Sequence, residues 1–251
     1  MFAPANLSDD GFLGGRLRIA QPRHGYRAAA DPVLLAAAVP ARRGETVLEL
    51  GCGAGVASLC LGARVDGLGL TGLELQPDYA ALARSNAIAN EIAFDVVEGD
   101  LGRMPAVLRG RSFDHVIANP PYFPRGGGTA ADDRGRELAL REETPLSVWL
   151  AAGVRRLRPG GRLTLIQAAE RLPDLLAGLG PPMGSAVLLP IAPRIGRDAG
   201  RVILQATKGG RAAFRLATPL VLHEGARHLT DGDDYTAQIR AVLRDAAALE
   251  F

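Results

Sequence analysis

The sequence predicts an α/β fold, a mostly parallel sheet covered by helices, and three observations carry that prediction. From Glu45 onward, short apolar runs alternate with longer helix-like stretches. Several of these runs end in turn signals, such as Gly51 after Leu50 and Asn119-Pro120 after Ala118. The chain has 251 residues, 47% of them hydrophobic, which suits one large domain with a substantial core.

The elements follow in order. Residues 1–45 are expected to form an N-terminal preface capping a site, and residues 46–251 the domain that carries that site. In the preface, 17–21 reads as a short strand and 21–27 as turn-rich. Asp31 and Pro32 are expected to open a helix, as N-cap and first-turn proline, with its body over 33–39 and its end at Pro40. Residues 46–50 read as a buried strand, 51–55 as a tight glycine turn and 56–63 as a helix. A second strand over 68–73 ends in Glu74, and a helix over 77–90 follows. A third strand, 94–97, ends at Glu98-Gly99-Asp100, and 113–118 is the fourth. Thr144 is expected to cap a helix over 145–157; 158–161 is a turn and 162–167 the fifth strand. Two β-rich runs, 186–191 and 202–206, precede a C-terminal helix over 235–249, expected either to pack on the core or to contact a partner. Residues 124–143, with three glycines at 126–128 and many charges, are long for a connection and are expected to form a flap that orders on substrate binding.

Composition narrows the class. No apolar run approaches the ~20 residues that cross a bilayer, and the first 15 residues do not read as a secretory signal. The two cysteines, Cys52 and Cys60, have neither metal spacing nor a disulfide framework, and the histidines His24, His115, His223 and His228 add no ligand pattern. No metal is expected, and a reducing cytoplasm is the expected location. Net charge is +2, and Lys208 is the single lysine among 29 basic residues. Arginine is well built for phosphates and bases, but the excess is read first as a compositional bias.

The chemistry concentrates at Asn119-Pro120-Pro121-Tyr122. Proline fixes φ and forces the residue before it into an extended conformation. The Asn119 side chain and the Pro120 carbonyl are therefore held as acceptors, and Tyr122 offers an aromatic face. Two acceptors and a ring suit a planar NH2 group. A second cluster is the turn Glu49-Leu50-Gly51-Cys52-Gly53-Ala54-Gly55, whose glycines permit close approach of a ligand to backbone. Its G-x-G-x-G spacing departs from the G-x-G-x-x-G of nicotinamide enzymes. Glu49 is suited to an amino group or an ordered water. Glu74, at a strand end, is suited to ribose hydroxyls, and Asp100, followed by Leu101, to an adenine ring and its amino group.

These motifs together resemble the class I S-adenosylmethionine-dependent methyltransferases, over roughly residues 30–210. The resemblance implies a Rossmann-like, seven-stranded, mostly parallel sheet with helices on both faces, one strand being made antiparallel by the hairpin of 186–191 and 202–206. It implies S-adenosyl-L-methionine as cofactor, S-adenosyl-L-homocysteine as product, and cofactor contacts from Arg27, Glu49, Gly51, Gly53, Gly55, Glu74, Asp100, Leu101 and Asn119. Asp31 is implied at the cofactor's methionine end or remains a helix cap.

Within that class, Gln21, Gly25-Tyr26-Arg27, Asp31 and Leu34-Leu35-Ala36, with Ser85-Asn86-Ala87, Asn90 and the continuation Tyr122-Phe123-Pro124-Arg125-Gly126-Gly127-Gly128, resemble the bacterial tRNA(Val) adenine-N6 methyltransferase family. This implies a tRNA substrate methylated on adenine 37, with Asn119, Pro120, Pro121 and Tyr122 as the catalytic set. The same motif also serves enzymes that methylate a glutamine amide in a release factor, and other rRNA or DNA amino-methyltransferases. The preface lacks the helical N-terminal domain usual in the glutamine enzymes.

Overall fold

Alternate residues of the central strands enter two different cores, one on each side of the sheet, which is why the strands read as continuous apolar runs. The computed structural model describes residues 2–124, 141–142, 144–225, 227 and 233–251. In chain order the strands are β1 (Leu7–Phe12), β2 (Leu17–Pro22), β3 (Thr46–Leu50), β4 (Gly69–Glu74), β5 (Phe94–Glu98), β6 (Phe113–Ala118), β7 (Phe123–Pro124), β8 (Arg141–Glu142), β9 (Leu157–Ala168), β10 (Met183–Ala192), β11 (Arg201–Lys208), β12 (Arg215–Leu216) and β13 (Leu220–Val221). The helices are α1 (Ala30–Ala38), α2 (Val56–Arg64), α3 (Pro77–Ala89), α4 (Ala106–Arg109), α5 (Leu146–Arg156), α6 (Leu172–Leu179) and α7 (Ala237–Asp245).

The main sheet runs β12-β10-β11-β9-β6-β3-β4-β5, with β13 also on β10. Strands β3, β4, β5, β6 and β9 are mutually parallel, and β11 is antiparallel to both β9 and β10. The seven expected strands are all present; β12 and β13, two residues each, extend the sheet to nine. Ile117, Ile166 and Ile203 face the core shared with α1, α2 and α7, whereas Val116, Leu165 and Leu204 face the one shared with α5 and α6.

Strand β6 is buried at all six residues, two of them polar. Asp114 accepts from Thr46 N at 2.8 Å and Thr46 Oγ1 at 2.7 Å, and His115 Nε2 lies 2.9 Å from Glu45 Oε2. These bonds pin β6 to the start of β3. The expected turn at 158–161 exists as a bulge inside β9: Phe113 pairs Leu157 while His115 pairs Arg162. Gly160 takes φ 77° there.

The preface departs most from expectation. Leu7–Phe12 pairs antiparallel with Leu17–Pro22, a hairpin of which only the second strand is evident in the sequence. Two asparagines one turn apart on α3 hold its outer edge. Asn86 accepts from Ala20 N at 2.9 Å and donates to Ala20 O at 3.0 Å; Asn90 does the same with Arg18, at 2.9 and 2.8 Å.

Two helix caps also differ. Helix α1 begins at Ala30, so Asp31 lies inside its first turn and makes no capping bond. Pro145 rather than Thr144 occupies the cap position of α5. Helix α7 packs on the core through Ile239 and Val242, and Leu249 N bonds Ala37 O at 2.8 Å. The flap expected over 124–143 lies outside the described residues, except for the parallel pair Phe123–Pro124 and Arg141–Glu142 at its ends. Among the described residues no helix is long and apolar enough to cross a membrane, and no group of three His, Cys, Asp or Glu is placed to hold a metal.

Candidate active site

The parallel strands deliver their last residues to one end of the sheet, where ligands gather in open α/β folds. A cavity opens there, bounded by Glu49, Gly51, Gly53, Glu74, Asp100 and Asn119 among others. Strand β3 ends in Leu50, and the chain then turns through Gly51 at φ 64° and Gly53 at φ 54°. A Cβ on Gly51 would stand 2.5 Å from the Trp149 ring, so glycine is required by both conformation and space. Gly55, at φ 88°, precedes α2 and packs toward Phe94; it supports the turn without lining the cavity.

The two glutamates serve the backbone. Glu74 Oε2 accepts from Gly53 N at 2.8 Å and Oε1 from Gln76 N at 2.9 Å. Burial pushes its carboxyl up, opposed by those backbone donors. Each carboxylate oxygen has a second acceptor site, so Glu74 keeps capacity for a pair of hydroxyls. Glu49 is buried, and its Oε2 accepts from Ser58 N at 3.0 Å and Ser58 Oγ at 2.5 Å. Burial drives its carboxyl up to about 8, with the Ser58 donors opposing. Asp100 Oδ1 caps the turn of 101–103 by accepting from Gly102 N at 2.7 Å. Leu75, 54% exposed beside the cavity, and Leu101 add an apolar wall.

At the end of β6, Asn119 Nδ2 donates a long bond of 3.4 Å to the Tyr26 hydroxyl. That turns the amide so that Oδ1 is the other end; Oδ1 is buried and has no hydrogen-bond partner. The Pro120 and Pro121 carbonyls accept from Gln167 Nε2 at 3.4 and 3.2 Å, which leaves each with acceptor capacity. Tyr122 Oη donates to Asp31 Oδ2 at 2.5 Å.

The segment between β2 and α1 crosses the cavity as a strap. Tyr26 and Ala28 line it, Tyr79 Oη holds the Tyr26 carbonyl at 3.0 Å, and Gln21 braces both strap and hairpin through Ala28 N, at 2.7 Å, and Asp10, at 2.8 Å. Arg27, expected at the cofactor, is turned the other way. It donates to Ser8 Oγ at 2.6 Å and Asp10 Oδ2 at 2.7 Å and does not line the cavity. Asp31 and Tyr122 also stand outside the lining. Tyr79, Thr144 and Trp149 also line it, none of them expected at the site; Trp149 belongs to the core shared with α5 and lies against Gly51.

A glycine turn at the first strand, a carboxylate at the second, Asp100 after the third and an Asn-Pro-Pro-Tyr segment after the fourth define a class I methyltransferase. Residues 30–177 match the model of the family described as methyltransferase small domain. A tRNA1(Val) (adenine(37)-N6)-methyltransferase of Porphyromonas gingivalis (strain ATCC 33277) is 33% identical over 182 residues, 67% of this chain and 69% of that protein. One of Dickeya chrysanthemi (strain Ech1591) is 29% identical over 252 residues, 95% of this chain and 94% of that protein. Among solved structures, a predicted O-methyltransferase from Agrobacterium tumefaciens superposes with a TM-score of 0.71 at 27% identity, covering 87% of this chain and 98% of that one. The T. thermophilus 16S rRNA N2 G1207 methyltransferase, solved with AdoMet and guanosine, gives 0.57 at 21% identity over 80% and 50% of the two chains, a likeness of fold. The chain belongs to the methyltransferase small-domain family, together with these tRNA1(Val) (adenine(37)-N6)-methyltransferases. Its cofactor is S-adenosylmethionine, which the cavity fits: the glycine turn has no Cβ to obstruct it, and Glu74 has open acceptor sites.

Proposed function

We propose that this chain transfers a methyl group from S-adenosylmethionine to the exocyclic nitrogen of an adenine in tRNA, adenine 37 of tRNA1(Val), in the cytoplasm. The observation that carries the reading is Asn119 Oδ1, a buried acceptor with no partner, held at the strand end beside the donor cavity. The names of the relatives supply the substrate.

The donor contributes a methyl group already activated on a sulfonium. The residues of this chain do the remainder. Glu74 holds the ribose hydroxyls, Asp100 and Leu101 the adenine ring, and the turn 51–53 the rest of the donor. Asn119 Oδ1 and the Pro120 carbonyl accept the two N–H bonds of the target amine. Those bonds raise electron density on a nitrogen whose lone pair is drawn into the base, and they aim that lone pair at the methyl group. Tyr122 presents its ring to the base, a contact worth about 1–3 kcal/mol. An anticodon loop lets the base leave its stack more cheaply than a duplex does. The nitrogen lone pair takes the methyl group as its bond to sulfur breaks, which releases S-adenosyl-L-homocysteine, and the cationic nitrogen then loses its proton to water, so no strong base is required beforehand. Residues 1–45 act as a cap, with the strap of Tyr26 and Ala28 enclosing the donor.

The test is labelled donor with total tRNA or with release factor, followed by mass spectrometry of nucleosides. N6-methyladenosine in tRNA is expected; label in protein alone overturns the reading.

A further inference from the structure

Three side chains distant in sequence meet just beyond the Asn119–Pro121 segment. Tyr122 Oη donates to Asp31 Oδ2 at 2.5 Å, and Arg201 Nε donates to the same oxygen at 2.8 Å. Asp31 stands in the first turn of α1 and Arg201 opens β11, the antiparallel strand. Neither lines the donor cavity. The Asp31 side chain is 17% exposed and that of Arg201 41%, so solvent reaches the ion pair from the arginine side. Both bonds are charge-assisted, the stronger kind. Burial first, and the Asp31 charge with it, holds the Tyr122 phenol above its usual range, so the hydroxyl stays protonated and stays a donor.

A tyrosine side chain has two soft torsions. Backbone restriction at Pro121 limits where Tyr122 starts, and the Asp31 bond fixes where its far end lies. With the hydroxyl held against α1, the part of Tyr122 left for a planar acceptor is the ring face. A bond from the same hydroxyl to the acceptor would turn the ring out of that orientation.

We propose that Asp31 and Arg201 are positioning residues of the acceptor site, holding the Tyr122 ring at the angle at which its face meets the incoming base. The proposal rests on the use of Tyr122 as a wall of the acceptor slot. It also fastens that wall to the strap, because Asp31 follows the lining residue Ala28 by three positions.

A double-mutant cycle between Asp31→Ala and Tyr122→Phe tests it, alongside Arg201→Ala and Asp31→Asn. Asp31→Ala is expected to lower methyl transfer to tRNA by about ten- to a hundred-fold, as small misplacements in a site do. Donor affinity by calorimetry stays within about twofold. In the Tyr122→Phe background the same change has little further effect, because the hydroxyl through which it acts is gone. Asp31→Asn keeps an acceptor for the hydroxyl and recovers most of the loss; it also serves if the alanine variant does not fold. Ring-flip rates of 13C-labelled tyrosine, measured without any substrate, are expected to rise for Tyr122 alone in Asp31→Ala. Additive losses, a fall in donor affinity that matches the loss in turnover, or an unchanged Tyr122 flip rate overturns the proposal. Absence of RNA methylation by the unaltered protein overturns the functional reading instead, and the flip rates then decide the positioning role independently.

Discussion

Asn119 lies where the donor cavity meets the proposed acceptor position, and the acceptor atoms on the two sides are in different states. On the donor side, Glu74 holds Gly53 and Gln76, Glu49 holds Ser58, and Asp100 holds Gly102. The donor pocket thus keeps its shape through bonds internal to the chain. On the acceptor side, Asn119 Oδ1 is buried with no bond, and Tyr122 is held by residues from two other elements. An unsatisfied buried acceptor costs about 1–3 kcal/mol. The bonded carboxylates build the donor pocket, whereas on the proposed reading Asn119 Oδ1 is kept bare for the amine that will react.

The sharpest way to break this comparison is Asn119→Ala. Methyl transfer is expected to fall by about 10²–10³, the loss seen when one preorganised polar group is removed from a reacting centre. Thermal stability stays level or rises, because the amide oxygen it removes was unpaired. A fall in both would mean that Asn119 builds the site as the glutamates do. Next is Glu74→Ala, for which donor affinity by calorimetry should drop by about ten- to a hundred-fold, the worth of a charged hydrogen bond. It should also lower the melting temperature, since Gly53 N and Gln76 N lose their acceptor.

Glu49 sharpens the comparison through pH. Its carboxyl rises from 4.5 to about 8 on folding. The folded state therefore holds a proton that the unfolded state has lost, and this contribution to stability is complete below pH 4.5 and declines as pH rises through about 8. The slope is at most about 1.4 kcal/mol per pH unit for one proton. Denaturant titrations at pH 5, 6.5 and 8 should show that decline in the unaltered protein and a flatter profile in Glu49→Gln. The smallest expected effect is Asn90→Ala, about 1 kcal/mol for its lost bonds to Arg18. Amide exchange should then quicken over Leu17–Pro22 while donor affinity holds.

Much of the donor side is legible in the sequence, because it depends on neighbours in the chain. Strands 46–50 and 113–118 are largely apolar runs followed by glycine or by Asn-Pro, and their ends bring Gly51, Gly53 and Asn119 to one cavity. Expectations failed where partners lie far away. Asp31 resembles a cap, but Tyr122 and Arg201, 91 and 170 residues away, take its carboxylate. Arg27 follows a residue that lines the cavity, yet the strap's turn sends it to Asp10. Strand Leu7–Phe12 carries Ser8, Asp9, Asp10 and Gly11 between its apolar ends, so it has no strand pattern of its own and forms only because Leu17–Pro22 pairs with it. The two-residue strands β12 and β13 are too short for any periodicity.

The pair Asn86 and Asn90 has a consequence beyond holding the hairpin. A two-stranded ribbon ends in bare peptide groups, which invite another ribbon to add on. Here two carboxamides, each giving one N–H and one C=O to Arg18 and Ala20, stand where a third strand would. The helix imitates a neighbouring chain, and on the β2 edge the position at which a second molecule would extend the ribbon is already filled.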